Sequence, residues 1–577
     1  MKSPVAAIHV AKIVRKHHGR TYVSYLLRRS YRQDGQVKHR TLGNLSHLPE
    51  RLIDIIRRSL RGEAFVSSAE AFRTVATKAH GHVEAVLAAF RTLDLENLIA
   101  SKPSRQRSLV LALIAQRILF PCSKLATTRH WHTTTLAEEL AVADADSKEL
   151  YVAMDWLLRR QAEIENKLAQ RHLAEGAVVL YDVSSSYYEG HTCPLACYGH
   201  NRDGKKGLPI IVYGLLTDAQ GRPVALDVYP GNTADPVTVP DQIAKVRHRF
   251  ALTRVVLVGD RGMLTQTRID TLKEYPGLGW ISALRSEAIQ ELLAKGTLER
   301  SLFDQVNLAE ITSPDFPGER LIACYNPLLA GQRHAKRQRL LTATEQNLQK
   351  LAAEVQRRTQ KPLRAAEIGL KAGKVIGRHK MAKHFQLQIA DGSFGWSRDA
   401  ASVTCEEQLD GIYVIRTSEA DTAFSSADCV RTYKSLSLVE QAFRCLKGLD
   451  LLVRPIRHRV DPRVRAHFFL CMLAYYVEWQ MRQALQSLLF ADEELEQDRR
   501  ERDPVKPAEA SESAKAKKKT YQTAKGMPVH SFATLLAHLA TRCRNTHQLV
   551  SDPTGSTFQQ ITEPDAIQAE ALQLLKL

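Results

Sequence analysis

The segments AVVLYDV (residues 177–183), LPIIVYGLLTD (208–218) and RPVALDVYPG (222–231) decide the fold of this chain. Each is a short run rich in apolar and β-branched residues, and DAQGR between the last two is typical of a β-hairpin. Two helical segments alternate with two further strands, RVVLVGD (254–260) and LGWISAL (278–284). The predicted order is therefore βββαβαβ, which indicates an α/β fold with a mixed sheet covered by helices.

Two aspartates are predicted at the ends of strands in this region. Asp182 lies near the end of the first strand, and Asp260 is the last residue of the fourth. In sheets of this kind functional groups gather at the carboxyl ends of the strands. Both side chains are therefore candidates for one site.

A third acid lies far along the chain, in the segment YKSLSLVEQAFRCLKG (433–448), which is predicted to be a helix. Tyr433, Glu440 and Lys447 are seven residues apart, and two helical turns bring such positions to one stripe. An apolar face beside the stripe would dock the helix on a core. Taken alone, the segment also fits a solvated flank with a weak Glu440–Arg444 pair.

Three carboxylates at one site would repel one another unless a cation compensates their charge. Mg²⁺ or Mn²⁺ suits carboxylate ligands. Two such ions can activate an attacking water or hydroxyl and stabilise the leaving oxygen of a phosphodiester. The acids Asp182, Asp260 and Glu440 therefore predict two-metal phosphodiester chemistry.

The composition points to a nucleic-acid partner. The 577 residues include 81 Lys and Arg against 62 Asp and Glu, a net charge of +19. Such an excess makes a polyanion the leading partner. The longest apolar run, FFLCMLAYYV, is too short to span a bilayer, and nine cysteines without a CxxC pair indicate reduced thiols. We expect a cytoplasmic protein that contacts no membrane.

Shifts in composition divide the chain into seven predicted regions. They are a basic β-rich region that contacts DNA (1–66), a helical region for DNA binding or dimerisation (67–170), the first part of the catalytic core (171–285), an insertion with strands and a basic helix (286–409), the second part of the core (410–490), a disordered linker (491–525) and a C-terminal helical segment (526–577). RNA binding or simple solvation of the basic β-region remains an alternative.

The order of these motifs resembles that of the RNase-H-like DDE transposases of bacterial insertion sequences, and more narrowly the IS-four superfamily. The signature helix of that family has Tyr, Arg, Glu and Lys at fixed spacing; Tyr433, Glu440 and Lys447 match it, whereas Leu436 replaces the Arg. The phrases YDVSSSYYEG, YPGNTADP, VLVGDRGM and VRPIRHRVDPRVRAH are similar to family blocks. The resemblance covers residues 182 to about 490.

The resemblance implies an RNase-H-like core interrupted by a β-rich insertion, and cut-and-paste DNA transposition. It makes Asp182, Asp260 and Glu440 the ligands of two Mg²⁺ or Mn²⁺ ions. By the same resemblance, Tyr433 and Lys447 contact DNA near the cleaved end. Arg444, Arg457 and His458 are further predicted DNA contacts, although exposed basic residues beside a helix start, such as Arg457 and His458, are also common without such a role. Expected partners are double-stranded DNA with terminal inverted repeats, target DNA, and a second copy of the chain in a synaptic dimer associated with the bacterial nucleoid.

Several alternatives stay open on sequence alone. The chain could be an RNase-H-like nuclease without strand transfer, or a DNA-binding protein that has lost its activity. A separate loop carries donor types that suit zinc, at a spacing that is not a common one: His191, Cys193, Cys197 and His200. Asp235 is interpreted as a turn residue that supports the site rather than as a fourth ligand.

Overall fold

The computed structural model describes residues 8–63, 65, 71–550 and 555–577. It contains two compact units. The first comprises Met1–Thr77 and Arg544–Ile561, and the second comprises Lys78–Cys543 and Thr562–Leu577. The predicted boundary between residues 66 and 67 lies outside the described residues.

The first unit contains two small antiparallel sheets. One sheet consists of β1 (Ile8–His17), β2 (Arg20–Gln33) and β3 (Gln36–Asn44), followed by helix α1 (Glu50–Leu60). Asp34 and Gly35 both have positive φ, as the two central residues of a type I′ hairpin turn require. The β-rich character predicted for the basic region is confirmed by these three strands.

The second small sheet joins the two ends of the chain. It has the order β16 (Thr557–Ile561), β15 (Cys543–Leu549) and β4 (Phe72–Ala79). Arg73 donates a 2.8 Å hydrogen bond to the Gln548 side chain across it. The sequence predicted a helical region from residue 67, and a helical segment at the C-terminus. Both regions do contain helices, but these three strands were missed. Strand β4 pairs with β15 more than 450 residues away, and no local pattern shows such a pairing.

The second unit begins with a helical layer. Its helices are α2 (Gly81–Thr92), α3 (Leu95–Ile99), α4 (Arg105–Leu119), α5 (Lys124–His130), α6 (Leu136–Glu139), α7 (Ser147–Arg159) and α8 (Gln161–His172). Helices α4 and α7 pack against α17 (Asp461–Ala484), which is buried on nearly all sides and also contacts the sheet strand β7. Its central part, residues 468–477, is apolar on every side because none of these side chains meets water.

The central sheet has eight strands in the order β10-β11-β14-β9-β8-β5-β6-β7. The strands are β5 (Ala177–Tyr187), β6 (Ile210–Asp218), β7 (Pro223–Pro230), β8 (Val255–Val258), β9 (Leu278–Ala283), β10 (Leu308–Ile311), β11 (Arg320–Tyr325) and β14 (Ile412–Thr417). Strands β5, β8 and β9 are parallel, and the remaining pairs are antiparallel. With α9 (Val239–Ala244) and α10 (Gln266–Lys273) in the crossovers, the predicted order βββαβαβ is confirmed.

The predicted insertion is partly continuous with this sheet. Strands β10 and β11 extend the sheet beyond β9, with β14 between them and β9. Helix α11 (Ser286–Ala294) packs against β11 and β14 in one small core. Two further small cores are formed by α12 (Pro327–Arg357), α13 (Ala365–His379), the hairpin β12 (Phe385–Ala390) and β13 (Ser393–Arg398), and α14 (Ala400–Glu407).

The region predicted as a disordered linker, 491–525, contains two helices, α18 (Leu495–Glu501) and α19 (Glu512–Thr520). Polar contacts rather than an apolar stripe fix it. Lys517 is buried and donates to the carbonyls of Gln486 and Ala491. Ser511 binds Asp492 through its hydroxyl at 2.7 Å. A search for apolar periodicity cannot detect a segment held in this way. Helices α20 (Phe532–Ala540) and α21 (Ala566–Leu574) follow.

No single helix in the described ranges has the length and hydropathy of a membrane span; α4 and α5 meet that test only when counted together, and they meet at an angle of 87°.

Candidate active site

Asp182 lies in the middle of β5, five residues before the strand ends at Tyr187. Its antiparallel partner is Leu215 on β6, whereas the parallel partner β8 pairs with β5 only as far as Leu180. The sequence placed Asp182 near a strand end; β5 is longer because β6 continues to pair with it. Asp182 therefore sits where β8 stops, beside the loop that follows β8.

Asp260 lies in that loop, two residues after β8 ends at Val258. Its Oδ1 atom accepts hydrogen bonds from the N–H groups of Gly262 at 3.0 Å and Met263 at 2.8 Å. These bonds hold the carboxylate in its own turn through Oδ1, and they do not use the second oxygen, Oδ2. Two adjacent strands thus present one carboxylate each at the same edge.

Glu440 comes from helix α16 (Leu436–Lys447), which is separated from α15 (Ser426–Lys434) by Ser435. The single helix predicted from Tyr433 to Gly448 is therefore interrupted, and Tyr433 lies in the last turn of α15. Val439, Ala442 and Phe443 are buried, as the predicted apolar face requires, while Glu440 is exposed. Helix α16 packs on β5 through this face.

The three acids line one cavity of about 660 Å³. Asp182, Asp260 and Glu440 share its wall with a fourth acid, Asp235. The carboxylate oxygens of Asp182, Asp260 and Glu440 are not all within 4.8 Å of one another. In the described residues, the ligand atoms of Cys445, Asp450 and Glu478 do lie that close together. The cavity thus brings together carboxylates that are as far as 258 residues apart in sequence.

The electrostatics of the cavity reflect this crowding of negative charge. Burial, assisted by the charges of Asp260 and Asp235, raises the pKa of Asp182 to about 7. Burial raises the pKa of Tyr433 to about 12, with contributions from Asp260 and Glu440. For both groups, negative charge on nearby carboxylates adds to the effect of burial on the pKa. A bound cation would offset that negative charge.

Basic side chains form another part of the cavity wall. They are Arg202, Arg444, Lys447 and Arg454. Arg202 donates to both oxygens of Asp235, at 2.6 and 2.5 Å. Asp235 opens a short 3-10 turn (Asp235–Thr238), as its interpretation as a turn residue implies, and its oxygens are engaged by this guanidinium. Anionic and cationic residues thus face the same space.

Some of the predicted DNA contacts lie at the cavity, and others lie away from it. Arg444 and Lys447 line the cavity, and the charges of all three acids reach Tyr433. Arg457 is 75% exposed and is absent from the cavity lining, with Glu189 at 4.0 Å. His458 is half-buried against the rings of Tyr151 and His467, and burial lowers its pKa to about 3.

Three charged lining residues were not predicted as part of the site: Arg202, Asp203 and Arg454. The sequence did carry a signal for them. Asp203 and Arg202 are the first charges of NRDGKKG between β5 and β6, and Arg454 belongs to the phrase VRPIRHRV. Only the fold shows that these segments meet at Glu440's helix.

The loop His191–His200 does not assemble its four metal-donor side chains. No three of them have ligand atoms within 4.8 Å of one another, and His191 and His200 are exposed. The ligand atoms of Cys445, Asp450 and Glu478 do meet that distance, but an arginine already forms ion pairs with this group. Arg482 pairs with Glu478 at 2.6 Å and with Asp450 at 3.0 Å.

Comparison with known proteins gives two family matches. Residues 178–477, more than half of the chain, match the model described as "Transposase DDE domain". Residues 10–72 match the model described as "IS1634 family transposase, N-terminal domain". The first match contains the three acids, and the second covers the three strands of the basic sheet and α1.

No curated protein matches the chain. Among solved structures it is similar to a chain in "Cryo-EM structure of piggyBac transposase synaptic complex with hairpin DNA", with 10% sequence identity and a TM-score of 0.34. The similarity covers 80% of this chain and 76% of that one.

Proposed function

The chain belongs to the family of DDE-domain transposases, and on that premise we propose that Asp182, Asp260 and Glu440 hold the divalent ions of its active site. As a member of the family it is an enzyme that cleaves DNA and transposes it, with a requirement for divalent metal. The observation that carries the proposal is the convergence of three carboxylates from distant segments on one cavity of a chain with a net charge of +19.

The residues fit Mg²⁺ or Mn²⁺. Both are hard cations that prefer carboxylate oxygens. The spacing of the acids supports two ions rather than one: at a Mg²⁺–oxygen distance of about 2.1 Å, one ion contacts oxygens no more than about 4.2 Å apart. When bound, such ions supply an activated water or hydroxyl and stabilise the leaving oxygen.

The strand order supports an RNase-H-like core. Strands β7-β6-β5 form an antiparallel meander, and β8 and β9 add to it in parallel with β5. Asp182 on the central strand and Asp260 after β8 then lie side by side. Helix α16 brings Glu440 to them only after the insertion, which accounts for the long separation in sequence.

The chain's own side chains would bind and orient the DNA. Arg444 and Lys447 occupy the cavity wall, where they suit the phosphates beside the scissile bond. Tyr433 would approach the flanking bases. The acids would hold the metal ions. Water would attack the phosphorus and break its bond to the 3′ oxygen, and the freed 3′ hydroxyl would then attack a phosphodiester of the target DNA and displace its 3′ oxygen.

The proposed substrates are the terminal inverted repeats of an insertion sequence and a target duplex. Two ends have to be held together for integration, which supports a dimer in the synaptic complex. The basic sheet of the first unit is the proposed end-binding element. These assignments place the protein on bacterial DNA, in association with the nucleoid.

The direct test uses duplexes that carry the inverted repeats flanking the gene, incubated with the protein and Mg²⁺ or Mn²⁺. We expect nicking at the repeat boundary, and strand transfer when a pre-nicked end and a target plasmid are supplied. Asp260→Asn should reduce cleavage at least about 1,000-fold while end binding persists, because the loss of one ligand affects the chemistry more than binding.

Asp270→Asn is the matched control, since Asp270 is exposed on α10 and is absent from the cavity lining. Undiminished metal-dependent cleavage by Asp260→Asn would reject the assignment of the acids. Hydrolysis without strand transfer would favour a simple nuclease, and end binding without any cleavage would favour a DNA-binding protein.

A further inference from the structure

Asp203 is an almost fully enclosed acid in the cavity wall, with 2% of its side chain exposed. Its Oδ1 atom accepts from Lys447 Nζ at 3.1 Å and pairs with Arg454 Nη1 at 2.6 Å. Its Oδ2 atom accepts from the N–H of Tyr187 at 3.1 Å. One carboxylate therefore binds two cations and is anchored to the last residue of β5.

The two cations are also joined to each other. Arg454 Nε donates to the carbonyl oxygen of Lys447 at 3.2 Å, at the end of α16. The Arg454 guanidinium lies 5.7 Å from the centre of the Tyr187 ring. Lys447 and Arg454 are thus fixed as a pair, with 12% and 27% of their side chains exposed. Without Asp203 the two like charges would repel.

The net charge of Lys447, Arg454 and Asp203 favours the binding of an anion. Lys447 and Arg454 contribute two positive charges and Asp203 one negative charge, so these three residues together keep a net charge of +1. Arg444 and Arg202 line the same cavity, but Arg202 is already engaged by Asp235. A phosphate in this space would complete the coordination of the pair on the side opposite Asp203.

We propose that Lys447 and Arg454 together bind one DNA phosphate next to the scissile bond, and that Asp203 is the positioning residue that holds them at the required separation. Arg454 then becomes a DNA contact in addition to those implied by the signature helix. The loop suits this role, because Gly204 and Gly207, with φ of +72° and +78°, turn the chain immediately after Asp203.

This inference rests on the proposed function, but its first test does not require cleavage. Binding of a terminal-repeat duplex is measured at several salt concentrations without divalent ions. Lys447→Ala and Arg454→Ala should each reduce the magnitude of the slope of log affinity against log salt by about one, because each removes one of the two positive charges that neutralise the bound phosphate. Unchanged slopes in both variants would overturn the phosphate site, whether or not the protein cuts DNA.

Asp203→Asn tests the positioning role. The substitution frees one positive charge, so end affinity at low salt should stay equal or rise, and the salt slope should steepen by about one. Cleavage of the bound end should nevertheless fall about 10- to 100-fold, because the phosphate is no longer held in register. Asp203→Glu retains the charge and should recover part of the rate.

Asp218→Asn is the matched control. Asp218 is a comparably buried acid, with 6% of its side chain exposed, and it is paired with Arg222 at 2.6 Å away from the cavity. Equal losses of affinity and cleavage in Asp203→Asn, with an unchanged salt slope, would indicate a merely structural residue. Wild-type cleavage by Asp203→Asn would also reject the proposal.

The pH dependence gives an independent readout. Lys447 faces Asp203, Arg454 and Arg202; burial lowers its pKa, and Asp203 opposes that shift. Removing the carboxylate therefore lowers the pKa of Lys447 further. In Asp203→Asn the alkaline loss of end binding should begin at a lower pH than in the wild type, and the Asp203→Glu profile should resemble the wild type. Coincident profiles for all three proteins would contradict the proposal.

Discussion

Lys124 is a buried cation whose neighbours are also basic. It begins α5 with 4% of its surface exposed. Burial lowers its pKa from 10.5 to about 7, and Arg117 adds to the effect. Among the described residues no carboxylate contributes to this shift in pKa, so burying the ammonium has a free-energy cost that no ion pair there offsets.

We predict that Lys124→Met stabilises the protein most at low pH. Below pH 7 the folded protein bears the full cost of the ammonium, at most about 5 kcal/mol. Between pH 7 and 10.5 the unfolded chain binds the proton more tightly, so wild-type stability rises with pH and the advantage of Met shrinks. Thermal midpoints at pH 6, 8 and 10 measure this.

The exposed Lys148 on α7 provides the control, because Lys148→Met should change the midpoint little at any pH. A gain from Lys124→Met that is the same at all three pH values would show that the ammonium is not the source. A loss of stability would show that an anionic partner balances it.

The sequence could single out those residues of the candidate site that belong to a recognisable local pattern. Asp182, Asp260 and Glu440 were singled out because the sequence predicts two of them near strand ends and the third alone on an amphipathic helix, and one cavity contains all three. Asp203 and Arg454 were missed. They form an ion pair with each other although they are 251 residues apart in sequence, and no local pattern shows such a contact.

At the scale of elements, helix and strand order in the core followed from periodicity. The break at Ser435 did not, because the sequence there has neither Pro nor Gly. Ser435 keeps helical φ and ψ of −64° and −16°, and its N–H donates to both Arg431 and Thr432. This tightened turn separates Tyr433 from the helix that bears Glu440.

The three-stranded sheet β16-β15-β4 leads to a prediction for the first unit. Because β15 is the middle strand, a proline in it removes a ladder hydrogen bond to one neighbour. We predict that Thr546→Pro accelerates amide hydrogen exchange in β4 and β16 by at least about 10-fold, corresponding to roughly 1.4 kcal/mol.

Thr546→Val retains a β-branched side chain and the backbone donor, so its exchange should match the wild type. Exchange in β1 and β2 should be unaffected in both variants, since those strands form a separate sheet. Unchanged exchange in β4 after Thr546→Pro would contradict the pairing of the two ends of the chain.

At the scale of the whole molecule, the fold joins functional residues that the sequence keeps apart. Charge and motif order indicated a DNA-processing enzyme, and the family matches confirm a DDE transposase. The extension of the sheet by β10, β11 and β14 was not predicted. Strands of four to six residues within an irregular insertion carry too little pattern to reveal which edge they join.

The central claim is that Asp182, Asp260 and Glu440 surround shared divalent ions. Replacing Mg²⁺ with Fe²⁺ and adding ascorbate and peroxide generates radicals that cleave the backbone beside the bound metal. We predict simultaneous cuts near residues 182, 260 and 440, suppressed by excess Mg²⁺ and lost in Asp182→Asn. Cuts confined to one of the three segments, or located elsewhere in the chain, would contradict the account.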